Sequence, residues 1–157
     1  DGTVADLGCG TGRLAIGAAL TGAEVTGYEI DMEALDLAKK YSDAQKLNIK
    51  WVNSAIEIIE KKYDTVLMNP PFGSQVPGAD RSFLQKALNI AKNIWSKHIG
   101  QTKKFIENFI DKNNGKVISA GTQSYFPGIP CLWVEDEQFI YDEEIEGEVW
   151  DMLVIEN

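Results

Sequence analysis

The hydrophobic and polar positions along the chain alternate between short apolar runs and longer segments with helical spacing. The apolar runs predict strands at 3–7, 24–30, 49–53, 63–68, 93–97 and 116–125. Between them, apolar residues three or four positions apart predict helices at 12–20, 32–47, 82–92 and 102–113. After a turn-rich break at 126–130, strict alternation predicts two antiparallel strands at 131–140 and 148–155. This order predicts an α/β fold with a mostly parallel sheet and a C-terminal antiparallel hairpin.

The composition is that of one globular domain. The chain has 157 residues, of which 44% are hydrophobic, so we expect a single domain over 1–157 that buries one sizeable core. No apolar run is long enough to span a membrane. The two cysteines, Cys9 and Cys131, fit neither a disulfide framework nor a zinc site, which favours a reducing, cytoplasmic setting.

The most informative stretch is Asn69–Phe72, which follows an apolar run that reads as a buried strand. Pro70 and Pro71 stiffen the loop, because each fixes φ and removes a backbone donor. Asn69 offers an amide oxygen and Phe72 a flat apolar face, so the loop suits a planar ring with an exocyclic amine. Acceptors at Asn69 and at the Pro70 carbonyl would favour a tetrahedral nitrogen whose lone pair can attack an electrophile. An ordinary Asn-Pro turn is the alternative interpretation.

A glycine-rich loop lies upstream, between the first predicted strand and the first predicted helix. Its glycines are Gly8, Gly10 and Gly12, a spacing that differs from the dinucleotide-binding fingerprint. We therefore expect the loop to hold an amino-acid moiety rather than a pyrophosphate, with Asp6 facing the ammonium group.

Another acidic residue lies at the end of the second predicted strand. An acid at this place can accept hydrogen bonds from both hydroxyls of a ribose, and we expect Glu29 to do so, with Ile30 beside it. Asp31 is instead expected to cap the helix that begins at Met32.

The chain resembles a class I S-adenosylmethionine-dependent methyltransferase of the N6-adenine type. Three motifs carry the resemblance: Asp6–Gly12, Gly27–Asp31 and Asn69–Phe72. The continuation through 73–84 and the run Trp95–His98 are similar to the methyltransferase-like protein 5 family and its archaeal relatives, which methylate one adenosine of small-subunit ribosomal RNA. The resemblance covers essentially the whole chain. It implies a Rossmann-like fold with a mostly parallel seven-stranded sheet, S-adenosylmethionine as cofactor, RNA as substrate, and no required metal.

The motifs, the charge pattern and the resemblance together predict roles for single residues. The catalytic loop would be Asn69, Pro70, Pro71 and Phe72. Cofactor contacts would come from Asp6, Gly8, Gly10, Gly12, Glu29, Ile30, Ser54, Ala55 and Asn69. Substrate contacts would come from Phe72, Gly73, Lys97, His98, Lys103 and Lys104.

One departure from the family touches the cofactor site. Where this chain has Ala55, relatives commonly place an aspartate that holds the adenine amine of the cofactor. Ser54 or Asn53 could substitute, helped by backbone contacts from Ile56. Otherwise we expect weaker cofactor binding, since one lost hydrogen bond costs about 0.5–1.5 kcal/mol.

The net charge of −9 argues against easy RNA binding, because a nucleic-acid protein usually carries a basic footprint. The charge is uneven, however: acidic residues crowd 135–148, whereas lysines dominate 86–116. We expect the RNA path along Lys97, Lys103 and Lys104. A solvated basic helix face is the alternative.

Two further residues have alternative interpretations. His98, the only histidine, is expected to be structural or RNA-facing rather than a general base, because methylation of an amine of this kind needs no strong base. Trp51 could be core or interface. The relatives work with a small zinc-binding methyltransferase activator protein, which could dock at an apolar sheet edge near Ile49, Trp51 and Val52. The relatives also carry a helical segment ahead of the first strand, so we expect this chain to be a truncated form.

Three rival functions remain open. Glutamine methyltransferases that act on release factors use a similar Asn-Pro-Pro loop, usually ending in tyrosine, and Phe72 argues modestly against them. DNA adenine methyltransferases share the loop but usually carry an added recognition domain. A non-catalytic binding subunit that has kept the fold is the third, and Ala55 supports it.

Overall fold

The computed structural model describes residues 2–71, 78–99, 102–123 and 150–156. The strands are β1 Thr3–Leu7, β2 Glu24–Glu29, β3 Ile49–Asn53, β4 Tyr63–Met68, β5 Ala91–Ile99, β6 Lys116–Gln123 and β7 Trp150–Glu156. The helices are α1 Arg13–Leu20, α2 Met32–Ala44, α3 Ala79–Ile90 and α4 Lys103–Lys112, and a short 3-10 turn covers Ile56–Ile58. In this part of the chain, no helix has the length and apolar character needed to cross a membrane.

The strands form one seven-stranded sheet in the order β3-β2-β1-β4-β5-β7-β6. The first five run parallel, and β7 lies antiparallel between β5 and β6. The predicted α/β fold with a mostly parallel sheet and an antiparallel C-terminal part is therefore confirmed. The predicted strand at 131–140 and the turn at 126–130 lie outside the described residues.

The bounds of two predicted helices differ most from the structure. The helix predicted at 82–92 begins at Ala79 and ends at Ile90, and β5 follows at once from Ala91. Ala91 is paired with Tyr63 of β4 and both are buried, so pairing with the sheet overrides the helical spacing. The helix predicted at 32–47 ends at Ala44, because Lys46 takes the left-handed conformation with φ 56°.

Each face of the sheet buries its own apolar cluster. On one face, α1 packs on β1, β2 and β3 through a cluster of Val4, Ala15, Ile16, Val25 and Ile49. On the other face, α3 and α4 supply buried residues such as Leu84, Leu88, Ile106 and Ile110. Burying a side chain of this size stabilises the fold by about 1.5–3 kcal/mol.

Trp51 lies on β3, which is an edge strand of the sheet as expected. Its side chain nevertheless turns inward. The indole N–H donates to Ser42 Oγ over 3.1 Å, and the ring lies against Gly12 and Gly27. A Cβ added at Gly27 would come 2.4 Å from the ring, so only glycine fits there. Of the two interpretations of Trp51, the structure favours core packing.

Candidate active site

The carboxyl edge of the sheet brings the glycine loop and the Asn-Pro-Pro loop together. From β1 the chain goes to β2 on one side, while β4 lies on the other, and such a switch point is where open α/β sheets bind ligands. Leu7 is paired with Met68, so Gly8 and Asn69 leave the sheet side by side. Segments 61 positions apart in the sequence therefore meet at one place.

The described part of the catalytic loop is anchored by its first proline. Asn69 is exposed at the end of β4, Pro70 is fully buried, and Pro71 is exposed. Because the Pro70 ring is buried and its φ is fixed, the backbone around it is held in one path. Phe72 and Gly73 lie outside the described residues, so their catalytic and substrate roles stay predictions.

The glycine loop takes a conformation that side chains oppose. Gly8 has φ 67° and Gly12 has φ 82°, both in the left-handed region. The Gly8 N–H donates to the Tyr28 carbonyl of β2 over 2.9 Å. A Cβ at Gly12 would come 2.5 Å from the Trp51 ring, whereas the space above Gly10 is open. The loop thus packs tightly against Trp51 of β3 and leaves room at Gly10 for a ligand.

Glu29 holds this loop in place. Its Oε2 accepts the Gly10 N–H over 2.8 Å, and its Oε1 accepts the N–H groups of Ile30 and Asp31 over 2.8 and 3.0 Å. Asp31 caps α2 as predicted, because its Oδ1 accepts the Glu33 N–H over 2.9 Å. Glu29 therefore positions the glycine loop, and ribose binding by the same carboxylate stays a prediction.

Asp6 lies beneath the start of α1 rather than in the open cleft. Its side chain is 1% exposed, and Oδ2 accepts the Ala15 N–H over 2.9 Å. Burial raises the pKa of this carboxyl to about 7; the Ala15 hydrogen bond opposes the shift and the charge of Glu29 adds to it. Oδ1 has no hydrogen-bond partner within the described segments. A buried oxygen of this kind, next to the glycine loop, fits the ammonium group expected there.

A cleft opens between the glycine loop, the end of β2 and the segment after β3. It is lined by Gly8, Tyr28, Glu29, Ile30, Ser54, Ala55, Ile56, Glu57 and Phe83. The predicted cofactor residues Gly8, Glu29, Ile30, Ser54 and Ala55 are thus brought together at one place.

The two polar residues that could replace the missing aspartate hydrogen-bond to the backbone. The Asn53 side-chain amide donates to the carbonyls of Glu29 and Ile30, over 3.1 and 2.9 Å. The Ser54 hydroxyl donates to the Ala55 carbonyl over 2.8 Å. Asn53 therefore shapes the cleft rather than lining it.

Three residues that were not predicted to contact the cofactor also line the cleft: Tyr28, Glu57 and Phe83. The Phe83 ring lies 2.9 Å from where a Cβ of Gly8 would be, so α3 closes the cleft beside the glycine loop. The Tyr28 hydroxyl hydrogen-bonds to the Tyr63 hydroxyl over 2.6 Å beneath the cleft. Helical spacing marks Phe83 as a packing residue, and no local pattern could have placed it against Gly8.

The predicted substrate residues of β5 and α4 lie near the same edge. His98 is buried and its Nε2 is 2.6 Å from Ser96 Oγ, so it does not face solvent. Lys97 is half-buried on β5, and Lys103 and Lys104 form the first turn of α4, which starts just beyond the end of β5. Arg81, which the sequence analysis did not select, places its guanidinium 4.7 Å from the centre of the neighbouring Phe105 ring.

The strand order is combined with a glycine loop after β1, an acidic residue at the end of β2 and an Asn-Pro-Pro loop after β4. Together these features define the class I methyltransferase fold. The chain belongs to the methyltransferase small domain family, whose model matches residues 1–114. It is similar to the solved structure of PH1948 from Pyrococcus horikoshii, a candidate RNA methyltransferase, with a TM-score of 0.83 and 32% identity over 99% of this chain and 74% of that one.

Two curated relatives carry names with a more specific chemistry. The rRNA N(6)-adenosine-methyltransferase Mettl5 of Drosophila melanogaster is 40% identical over 66% of this chain and 53% of its own length. The rRNA N(6)-adenosine-methyltransferase METTL5 of Danio rerio is 42% identical over 66% of this chain and 54% of its own length. The chain thus spans about half the length of these curated relatives.

Proposed function

We propose that the protein transfers a methyl group from S-adenosylmethionine to the exocyclic amine of an adenosine in RNA, with small-subunit ribosomal RNA as the substrate. The observation that carries the proposal is the pairing of Leu7 with Met68, which sets Asn69 beside the glycine loop. The names of the Drosophila and zebrafish relatives support the choice of amine and RNA. A reducing cytoplasm is the compartment that we assign to the protein.

The residues present fit the cofactor. The open space above Gly10 gives its amino-acid end a place, and the unpartnered Oδ1 of Asp6 offers an acceptor near the loop. Glu29 lies where an acid meets a ribose, and the apolar part of the cleft suits a base. When bound, S-adenosylmethionine supplies an activated methyl group on a sulfonium centre.

The chain's own contribution to the reaction is positioning. The Asn69 amide oxygen accepts a hydrogen bond from the target amine, and the Pro70 carbonyl, on a backbone held by a buried ring, offers a second acceptor. Both interactions strengthen as the nitrogen becomes tetrahedral, so they favour the transition state over the ground state. Phe72 is proposed to stack on the flipped base.

The proposal includes a partner, a small zinc-binding methyltransferase activator protein that docks at β3. It is supported by the place of β3 at an end of the sheet order, because an edge strand offers backbone groups for pairing. Since the Trp51 ring packs inward, docking would use the backbone of 49–53 rather than the indole. Adding the activator should slow amide hydrogen exchange at 49–53. Unchanged exchange there would remove this part of the proposal.

The substrate is tested by incubating the chain with labelled S-adenosylmethionine and, separately, ribosomal subunits, RNA, DNA or release factor. Label in small-subunit RNA, recovered as N6-methyladenosine, is the expected result. Label in release factor would instead identify a glutamine methyltransferase. If the cofactor binds but no substrate takes up label, the binding-subunit interpretation would replace ours.

A further inference from the structure

Glu57 is an acidic residue of the cleft lining to which neither the sequence motifs nor the proposed reaction assigns a role. It lies in the 3-10 turn after β3, is exposed, and lines the cleft together with Ala55. In the described part of the chain, its carboxylate makes no hydrogen bond or ion pair. The acceptor is therefore available to a ligand.

The backbone of Glu57 is firmly held even though its side chain is exposed. Lys86 of α3 reaches across and donates to the carbonyls of Glu57 and Ile59, over 2.8 and 2.9 Å. Ile56 and Ile59, which flank the turn, are both buried in the core. A fixed turn limits the region that this carboxylate can reach, which lowers the entropy cost of recognising a ligand there.

The rest of the cleft points to what this carboxylate meets. Ile30 is 72% exposed at the end of β2, although it is apolar, and Ala55 and Ile56 lie near it in the cleft lining. A flat base would cover this apolar surface. Glu29 lies directly before Ile30 and is proposed to bind the ribose of such a ligand. Glu57 is the second acidic residue of the cleft lining.

Glu57 is the one acidic residue of the segment 53–57. Asn53 donates to two carbonyls, Ser54 donates to the Ala55 carbonyl, and Ala55 has no polar atom in its side chain. An exocyclic amine needs an acceptor, and an ionised carboxylate has only acceptors.

We propose that Glu57 accepts a hydrogen bond from the exocyclic amine of the cofactor's adenine and thereby selects adenine over bases without that amine. The inference rests on the proposed function, because it takes S-adenosylmethionine as the ligand of this cleft. The base specificity of the site would then depend on Glu57, while Ala55 contributes only an apolar contact surface.

The test compares two ligands by calorimetry: S-adenosylhomocysteine, and its purine-riboside analogue, in which hydrogen replaces the exocyclic amine. The wild-type chain should bind S-adenosylhomocysteine about tenfold more tightly, as expected for a hydrogen bond to a charged group. Glu57→Ala should remove that preference and leave the affinity for the analogue nearly unchanged. Glu57→Gln, which keeps an acceptor oxygen without the charge, should show an intermediate preference.

Glu60→Ala is the matched control, because Glu60 is also exposed and carries the same charge but does not line the cleft. It should keep the full preference for S-adenosylhomocysteine. A Glu57→Ala variant that keeps the preference, or a wild-type chain that binds both ligands equally, would overturn the role of Glu57 alone. A wild-type chain that binds neither ligand would reject the proposed function and this inference together.

Discussion

The backbone N–H of Gly10 donates a hydrogen bond to Oε2 of Glu29 over 2.8 Å, which ties the glycine loop after β1 to the end of β2. The other oxygen of the same carboxylate accepts the N–H groups of Ile30 and Asp31. One side chain thus organises three backbone donors at the edge where the cofactor is proposed to bind. Changes at Glu29 should therefore affect both folding and ligand binding.

We predict that Glu29→Ala lowers the free energy of unfolding by about 1–3 kcal/mol, because backbone donors lose their acceptor. It should also weaken S-adenosylhomocysteine binding. Urea unfolding and calorimetry measure the two effects. Glu60→Ala, an exposed acid that does not line the cleft, is the control and should change neither. Unaltered stability of Glu29→Ala would mean that water can replace the carboxylate at the loop.

We predict that Asn69→Ala cuts the rate of methylation by orders of magnitude while S-adenosylmethionine affinity stays nearly unchanged. The physical reason is that the amide contact with the target amine is made mainly in the transition state. Single-turnover methylation of small-subunit ribosomal RNA measures the rate. Asn48→Ala, at an exposed position before β3, should behave as wild type. Near-normal turnover of Asn69→Ala would reduce the Asn-Pro-Pro stretch to a structural turn.

Asp6 should make stability depend on pH with a sign opposite to that of most carboxylates. Its pKa is about 7 in the folded protein and near 3.8 when unfolded, so the folded state binds the extra proton between these values. The contribution of Asp6 to the free energy of unfolding is therefore fully present below about pH 4 and is lost as the pH rises to about 7. The loss is roughly 4 kcal/mol at most.

Asp6→Asn, which cannot ionise, tests this dependence. Urea unfolding at pH 5 and at pH 8 should show a smaller fall in stability for the variant than for the wild type. An equal fall in both proteins would show that Asp6 is already ionised at pH 5. Asp36→Asn, on the exposed side of α2, controls for the loss of one negative charge.

Lys103 and Lys104 should act on RNA through phosphate charge alone. We predict that replacing either by alanine weakens RNA binding for all sequences and lowers the slope of log affinity against log salt by about one. Filter binding at several salt concentrations measures both quantities. Lys40→Ala, on the exposed face of α2, should leave the slope as it is. If the lysines of α4 behave like Lys40, the RNA path runs elsewhere.

Gly27 should tolerate no side chain. A Cβ there would lie 2.4 Å from the Trp51 ring and 3.1 Å from the Cys9 sulfur, so we predict that Gly27→Ala destabilises the protein by about 1–3 kcal/mol. Thermal unfolding provides the measurement. Gly2→Ala is the control, since its nearest neighbour, Asp64, would be at an ordinary 3.6 Å. A loss of stability no larger than that of Gly2→Ala would mean that the indole can move aside.

Local sequence patterns were enough to predict the parallel strands, the order of the elements, the glycine loop and the Asn-Pro-Pro loop. These features are local: strands and helices follow from spacing within a few residues, and each motif is contiguous. The predicted bounds of an element were less accurate where a tertiary contact opposed the local pattern. Ala91 shows this, because its pairing with Tyr63 ends α3 before the helical spacing does.

Which residues share the cleft depends on tertiary packing and could not be predicted from local patterns. Phe83 reaches Gly8, and Glu57 joins Glu29, because helix packing and strand register bring together segments far apart in the chain. Tertiary packing also turned Trp51 inward and buried Asp6, and burial is what raises the Asp6 pKa. Such contacts depend on how whole elements pack against one another, which the spacing of residues within one element cannot encode.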